Sequence, residues 1–144
     1  MGVTLIGSRE ASQAIVKRVE ETLIRLIVEN GETTFYVGNH GAFDLIVTAV
    51  FKRVKAQFPH VSCYVVLSHM PTAPQTDDLP TILPEPVVAS PPKFAISKRN
   101  MWMIEHSSIV VTYAPYSFGN SAKYKAIAAK KGKRIIEISD EKLP

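Results

Sequence analysis

Residues 35–54, FYVGNHGAFDLIVTAVFKRV, decide the fold. The first of them continue an apolar run from Thr33 that is rich in aromatic and β-branched residues, a composition typical of a β-strand. The run stops at the glycine turn 38–41, and an amphipathic helical pattern begins directly after it. A strand–turn–helix junction presents free backbone N–H groups and the positive end of a helix dipole, which stabilise an anion. The sequence therefore predicts an anion-binding corner at the carboxyl end of this strand.

Composition limits the class of protein. The chain has 144 residues, of which 46% are hydrophobic and 21% are charged, so we predict a single globular domain over residues 1–144. No apolar run approaches the roughly eighteen residues of a membrane span. The N-terminus MGVTLIGSRE lacks a basic segment followed by a long apolar one. We expect a soluble cytoplasmic protein with no membrane partner.

The number of cysteines and the net charge limit which kinds of binding site the protein can have. Cys63 is the single cysteine and lies in an apolar run, which excludes a disulfide framework and a cysteine-based metal site. We expect neither a metal nor a cofactor. The net charge is +4, and residues 119–134 include six basic residues and no acidic one. This balance permits an anionic partner, nucleic acid included, although lysines on the outer face of a helix are more often simply solvated.

Strand patterns alternate with helical patterns along the chain, at residues 3–6, 33–37, 61–67, 109–113 and 134–138. The first helical pattern begins at Ala11 and ends at Asn30-Gly31, a typical C-terminal stop. With right-handed crossovers, this alternation predicts an α/β, Rossmann-like doubly wound fold. We expect a mostly parallel five-stranded sheet of order 3-2-1-4-5 with helices on both faces. The loops after the first, second and fourth strands then meet at one cleft.

Residues 69–93 interrupt the alternation. They contain seven prolines and little periodicity, so we predict a loop that is too rich in proline to be a helix. A connection of that length in a compact domain is either a functional lid or a disordered spacer. The sequence does not choose between them.

A polar pair, Arg99 and Asn100, lies in the helical pattern that resumes near Phe94 and runs to His106. An arginine is suited to bind a phosphate or a carboxylate through its planar fork, although a surface salt bridge explains the residue equally well. We expect Arg99 to contact the ligand with little effect on stability, and Asn100 to fix the neighbouring loop. The apolar residues 101–104 should anchor the helix to the sheet.

A second corner follows the fourth strand, where Gly119, Asn120 and Ser121 begin a helix. Two such corners at one sheet edge favour an anion site more than either alone. A plain tight turn remains the alternative for the first corner, which lacks both the P-loop lysine and the three-glycine dinucleotide fingerprint. Asp44 could meet a ribose hydroxyl or simply complement the helix dipole. His40 could contact phosphate, act as an acid or base, or do neither.

Several segments taken together resemble a known family: 35–38 with 41–44, FAISKRNMWM at 94–103, 107–113, and 118–133. They are similar to the YpsA-like branch of the SLOG superfamily, which is named for the DprA proteins and the LOG phosphoribohydrolases. That superfamily has a Rossmann-like fold and binds nucleotides or nucleotide-derived ligands. The resemblance covers nearly the whole chain, and its most specific part is the Arg99-Asn100 pair followed by Met103.

The resemblance implies a ligand cleft formed by two glycine corners, the end of the first strand and the polar pair. Its residues would be Gly7, Ser8, Gly38, Asn39, Gly41, Asp44, Arg99, Asn100, Gly119, Asn120 and Ser121. The second corner in the family is usually a glycine pair, and here Asn120 stands at the second glycine. Asparagine tolerates a positive φ better than most residues, which would preserve the turn.

Catalysis is less well supported than binding. The LOG enzymes carry a glutamate early in the helix after the second corner, whereas residues 119–134 of this chain have no carboxylate. Asp44 and Glu105 are the carboxylates left near the cleft, and no catalytic residue is identified. We expect a nucleotide-binding sensor or accessory protein. The alternatives are a nucleotide-processing N-glycosidase and DprA-like binding of single-stranded DNA, and homo-oligomer formation is left open.

Overall fold

The computed structural model describes residues 1–70 and 79–139. The strands of this part are β1 Gly2–Gly7, β2 Thr34–Val37, β3 Ser62–Val66, β4 Thr81–Ile82, β5 Ser107–Tyr113 and β6 Arg134–Glu137. The α-helices are α1 Val16–Asn30, α2 Ala42–Gln57, α3 Glu85–Val88, α4 Ala95–Glu105 and α5 Asn120–Lys130. Short 3-10 turns, Gln13–Ile15 and Pro92–Phe94, precede α1 and α4. In the described ranges, no helix is long and apolar enough to cross a membrane.

The strands form one parallel sheet of order β4-β3-β2-β1-β5-β6. The prediction of five strands in the order 3-2-1-4-5 was wrong, because the two-residue strand β4 pairs with β3 at the edge of the sheet. So short a strand between Pro80 and Pro84 has no alternating pattern that a sequence reading could detect. Since β4 joins only at the edge, β1 keeps β2 and β5 as its neighbours. The loops after these three strands therefore meet, as expected for this class of sheet.

The predicted loop 69–93 is partly structured. Residues 79–93 contain β4, the helix α3 and a 3-10 turn, so the expectation that the prolines exclude a helix was wrong. Pro86 lies in the first turn of α3, where a backbone N–H has no helical partner and a proline costs little. Residues 71–78 lie outside the described residues. The choice between a lid and a spacer stays open.

Helices cover both faces of the sheet, as predicted. Helices α1 and α2 pack against one face, and α4 and α5 pack against the other. Successive residues of a strand point to opposite faces, so Leu5 belongs to the first core and Ile6 to the second. Of the seven residues that the helical pattern predicts to face inward, six are buried, namely Phe43, Ile46, Val47, Val50, Phe51 and Val54. The seventh, Phe58, follows the end of α2 and is half-buried. Gly31 ends α1 at φ 67°, a left-handed conformation that suits glycine.

Two buried hydroxyl groups hold α4 against the sheet. The Thr4 hydroxyl donates to the Met103 carbonyl at 2.8 Å, and the Ser107 hydroxyl donates to the same oxygen at 2.9 Å. Met103 and Ile104 are fully buried, whereas Met101 and Trp102 are only half-buried, so the expected anchor is formed mainly by the first two. Because buried hydroxyls require partners, these bonds tie α4 to β1 and β5. They set the position of Arg99, one helical turn earlier.

Candidate functional site

A cavity of about 450 Å³ opens at the carboxyl ends of β1, β2 and β5. Nine of the eleven predicted site residues line it: Gly7, Ser8, Gly38, Asp44, Arg99, Asn100, Gly119, Asn120 and Ser121. Asn39 and Gly41 do not line it, although they belong to the same turn as Gly38. Residues that are far apart in the chain therefore meet at one edge of the sheet.

The first corner is packed against the loop after β1. Gly41 precedes α2 with φ 98°, and a Cβ built there would lie 2.8 Å from the Arg9 Cα. The Ala42 N–H donates to the Arg9 carbonyl at 2.9 Å. Both the positive φ and the close backbone approach require glycine. Gly41 therefore shapes the turn and does not line the cavity.

Gly38 makes room for two ionisable side chains. A Cβ built on Gly38 would lie 2.8 Å from the Arg99 Cζ and 2.8 Å from Asp44 Oδ2. Any larger residue would displace one or both groups. The glycine thus allows a carboxyl and a guanidinium to approach the end of β2 from two different helices.

Asp44 takes up part of the anion-binding capacity of the first corner. The His40 N–H donates to Asp44 Oδ2 at 2.8 Å, and the Ala42 N–H is already bound to Arg9. The expectation of free N–H groups at this corner was therefore wrong for these two groups. The reason is that the first turn of α2 supplies its own carboxyl, which folds back onto the turn.

The pKa of the Asp44 carboxyl is raised in the folded protein. Burial raises the pKa of its carboxyl from 3.8 to about 6, while the His40 N–H and Arg99 act to lower it. The carboxyl therefore changes its charge near neutral pH inside the cavity. A group of this kind can accept a hydrogen bond from a ligand hydroxyl when it is ionised and donate one when it is protonated.

Arg99 is buried, with 4% of its surface exposed, so the alternative of a surface salt bridge is excluded. Its Nε donates to Asn100 Oδ1 at 3.1 Å, and its Nη1 donates to Asn39 Oδ1 at 3.0 Å. Both acceptors are neutral amides, which orient the guanidinium without cancelling its charge. Asn100 therefore holds Arg99 itself, and Asn39 makes the link to the neighbouring loop that we expected of Asn100.

The second corner is more open. Gly119 precedes α5 with φ 94°, and no atom lies within 4 Å of a Cβ built on it. Asn120 is the first residue of α5 and has no positive φ, so the missing glycine does not affect the turn. In contrast to α2, the first turn of α5 has no acidic side chain. Of the two corners, this one leaves its helix N-terminus available to an external anion.

Three of the cavity residues that were not predicted offer a charge or an aromatic ring to a ligand. Arg9 follows the end of β1, and Tyr116 and Phe118 lie at the mouth of the cavity. The two aromatic rings stack with centroids 5.3 Å apart and remain 52% and 72% exposed. The sequence offered two signals for these residues. They are a basic residue close to the end of a strand and two aromatic residues in the turn before Gly119. His40 also lines the cavity, and its pKa is lowered by burial and by the charges of Arg9, Arg99 and His69.

The pKa of Asp44 predicts how stability depends on pH. The pKa is higher in the folded protein than in the unfolded chain, so the folded state binds an extra proton between about pH 4 and 6. The extra proton stabilises the folded state. Its contribution to the free energy of unfolding is complete below about pH 4 and is lost as the pH rises through about 6. Its size should be about 1.5–3 kcal/mol. We expect Asp44→Asn to remove that part of the slope in urea denaturation from pH 4 to 7.

Glu10→Gln is the matched control, since it removes an exposed carboxylate that lines the same cavity. The control should keep the slope of the parent protein. Equal slopes for Asp44→Asn and the parent protein would show that Asp44 has an ordinary pKa.

Comparisons with known proteins give a fold but no family. No family model matches the chain, and no curated protein matches it. A solved structure of DNA processing protein A from Helicobacter pylori, described for its unique single-stranded DNA binding mode, matches with a TM-score of 0.59 and 17% identity. The chain has a Rossmann-like α/β fold related to that of this protein. The match covers 95% of this chain and 64% of the other, so this chain spans less than two thirds of that structure. The likeness to the YpsA-like branch stays a prediction.

Proposed function

We propose that this protein binds a nucleotide or a nucleotide-derived anion in the cavity between the two glycine corners, as a sensor or accessory protein. The observation that carries the proposal is Arg99, a buried arginine that lines a cavity and is held by two neutral amides. Burying a guanidinium is costly, and an oriented donor that faces a cavity is the usual arrangement for binding phosphate or carboxylate.

The second corner is the preferred place for the phosphate. Its helix N-terminus has no acidic side chain in the first turn, and Ser121 offers a hydroxyl beside it. Arg9 and Arg99 add positive charge from the other walls of the same cavity. Asp44, once ionised above about pH 6, can accept hydrogen bonds from ribose hydroxyls. The cavity thus offers matching groups to both the phosphate and the sugar.

The structure favours binding over N-glycosidase activity. Glu105 is exposed at the end of α4 and does not line the cavity. Glu10 lines it but is also exposed, so Asp44 is the buried carboxyl of this site. Its Oδ2 is engaged by the His40 N–H. Hydrolysis of a glycosidic bond typically uses a pair of carboxyl groups that flank the bond, and here the partner of Asp44 would be the exposed Glu10, so we prefer binding to catalysis.

Binding should appear as thermal stabilisation. A ligand at 100 times its Kd stabilises the folded state by about 2.7 kcal/mol, which is roughly 5–10 °C in Tm for a domain of this size. We expect shifts of this size with nucleoside monophosphates or diphosphates and none with nucleosides. Chromatography of the same mixtures should detect no released base. The absence of a shift with every nucleotide would contradict the proposal, and base release would identify an enzyme.

A second candidate is binding of single-stranded nucleic acid. The exposed Tyr116–Phe118 stack at the cavity mouth offers a surface on which bases can stack, and the structurally similar DNA processing protein A binds single-stranded DNA. The lysines of α5 support this candidate only partly, since Lys125 forms an ion pair with Glu137.

Phe118→Ala separates the two candidates. It should weaken salt-dependent gel shifts of a labelled oligothymidylate severalfold and leave the thermal shift by mononucleotides unchanged. Val28→Ala, which truncates another exposed apolar residue, on α1, is the control for nonspecific effects. If the parent protein produces no gel shift at low salt, the second candidate is wrong.

A further inference from the structure

A second cavity of about 440 Å³ lies beside the first. It is formed by the segment after β3, by α3 and by the start of α4. Most of its wall is apolar, and the apolar residues include Leu83, Val87, Val88, Pro92 and Ala95. Cavities of this size and character bind uncharged organic groups. Neither the sequence patterns nor the structural comparison assigns it a role.

The second cavity also has a polar part. Ser68 and His69 line it, and the Ser68 hydroxyl lies 3.0 Å from His69 Nδ1. Ser68 is buried, and its hydroxyl has an imidazole beside it that can accept or donate a hydrogen bond. An apolar wall with a few hydrogen-bonding groups matches a nucleobase, which has flat apolar faces and a polar edge.

The two cavities are neighbours. His40 and Ile96 line both of them, so one ligand can extend from one cavity to the other past these two side chains. The first cavity has the charged groups Arg9, Glu10, Asp44 and Arg99, whereas no Asp, Glu, Lys or Arg is among the described residues that line the second. The division of charge corresponds to a ligand with one ionic end and one uncharged ring.

We propose that the second cavity receives the base of the nucleotide whose phosphate binds at the Gly119 corner. This inference rests on the proposed function and adds the position of the base. The sugar then lies between the cavities, next to His40 and within reach of Asp44 on the wall of the first. The exposed aromatic stack at the mouth of the first cavity is left free of the mononucleotide.

Two probes test the inference, ribose 5-phosphate without a base and AMP with one. Burial of a base in an apolar cavity should make AMP bind at least about tenfold more tightly by calorimetry. Val88→Asp places a charge at the cavity wall, and Ala95→Leu fills part of the space. Both variants should bring the affinity for AMP close to that for ribose 5-phosphate and leave the latter unchanged.

Val28→Asp is the matched control, because Val28 is 63% exposed and Val88 is 66% exposed, and Val28 lies on α1 and lines neither cavity. It should keep the tenfold preference for AMP. The high exposure of Val88 means that its replacement should not impair folding, even if Ala95→Leu does.

The results distinguish this inference from the proposed function. If both probes bind and the preference for AMP survives Val88→Asp, the base lies elsewhere and the inference is overturned, while the proposed function stands. Loss of the preference in Phe118→Ala instead would place the base on the aromatic stack and would also overturn it. If neither probe binds the parent protein, the proposed function fails for this class of ligand and the inference fails with it.

Discussion

Replacing Arg99 with alanine is expected to lower both the stability of the protein and its affinity for AMP. The sequence alone predicted little effect on stability, because it did not show that Arg99 is buried. The guanidinium is buried beside Asp44 and donates to Asn39 and Asn100, so its removal leaves a buried carboxyl without a cation and two amides without a donor. Leaving buried polar groups without their partner costs about 1–3 kcal/mol of unfolding free energy. Loss of a charged hydrogen bond to phosphate should weaken binding by roughly ten- to a hundredfold.

Urea denaturation and calorimetry measure these two effects. Arg99→Lys keeps the charge but loses the planar fork, so it should recover only part of each loss. Arg53→Ala is the matched control, because Arg53 is 52% exposed and pairs with Glu20 at 3.1 Å on the surface. Its effect on stability should stay within about 1 kcal/mol. If Arg99→Ala is as stable as Arg53→Ala, the guanidinium is not part of the buried arrangement.

Replacing Gly38 with valine should have the second largest effect. A Cβ at this position would lie 2.8 Å from both the Arg99 Cζ and Asp44 Oδ2, so the guanidinium and the carboxyl must move apart. Overpacking of this kind costs about 1–3 kcal/mol of unfolding free energy. Because the displaced Arg99 also loses its bond to Asn39, we expect AMP affinity to fall by at least about tenfold.

Gly2→Ala separates the effect on the site from a general loss of packing. A Cβ at Gly2 would lie 2.6 Å from the Tyr36 ring, at the end of β1 that is remote from the cavity. This variant should lose stability while its AMP affinity stays unchanged. If Gly38→Val folds and binds AMP as tightly as the parent protein, neither Gly38 nor the position of Arg99 matters for the ligand.

Features that depend on neighbouring residues in the chain were readable from the sequence. The apolar period of α2 identified its buried face, and Gly31 ends α1 where Asn30-Gly31 predicted a stop. The alternation of strands and helices predicted a parallel sheet with helices on both faces. The same alternation predicted that the site residues meet at one edge of the sheet, because the carboxyl ends of parallel strands lie on the same side. Most of the predicted site residues do line the cavity at that edge.

Tertiary structure decided the chemistry of the site. Arg99 is 60 residues away from its partner Asn39, and no local pattern shows that the turn at Gly38 closes over its guanidinium. The sequence placed Asp44 in the first turn of α2, but burial is what raises its pKa to about 6. Strand β4 and the second cavity likewise depend on how residues 79–96 pack beside β3 and His40. Burial, pKa and cavity shape result from contacts through space, whereas periodicity along the chain determines only which face of each element is apolar.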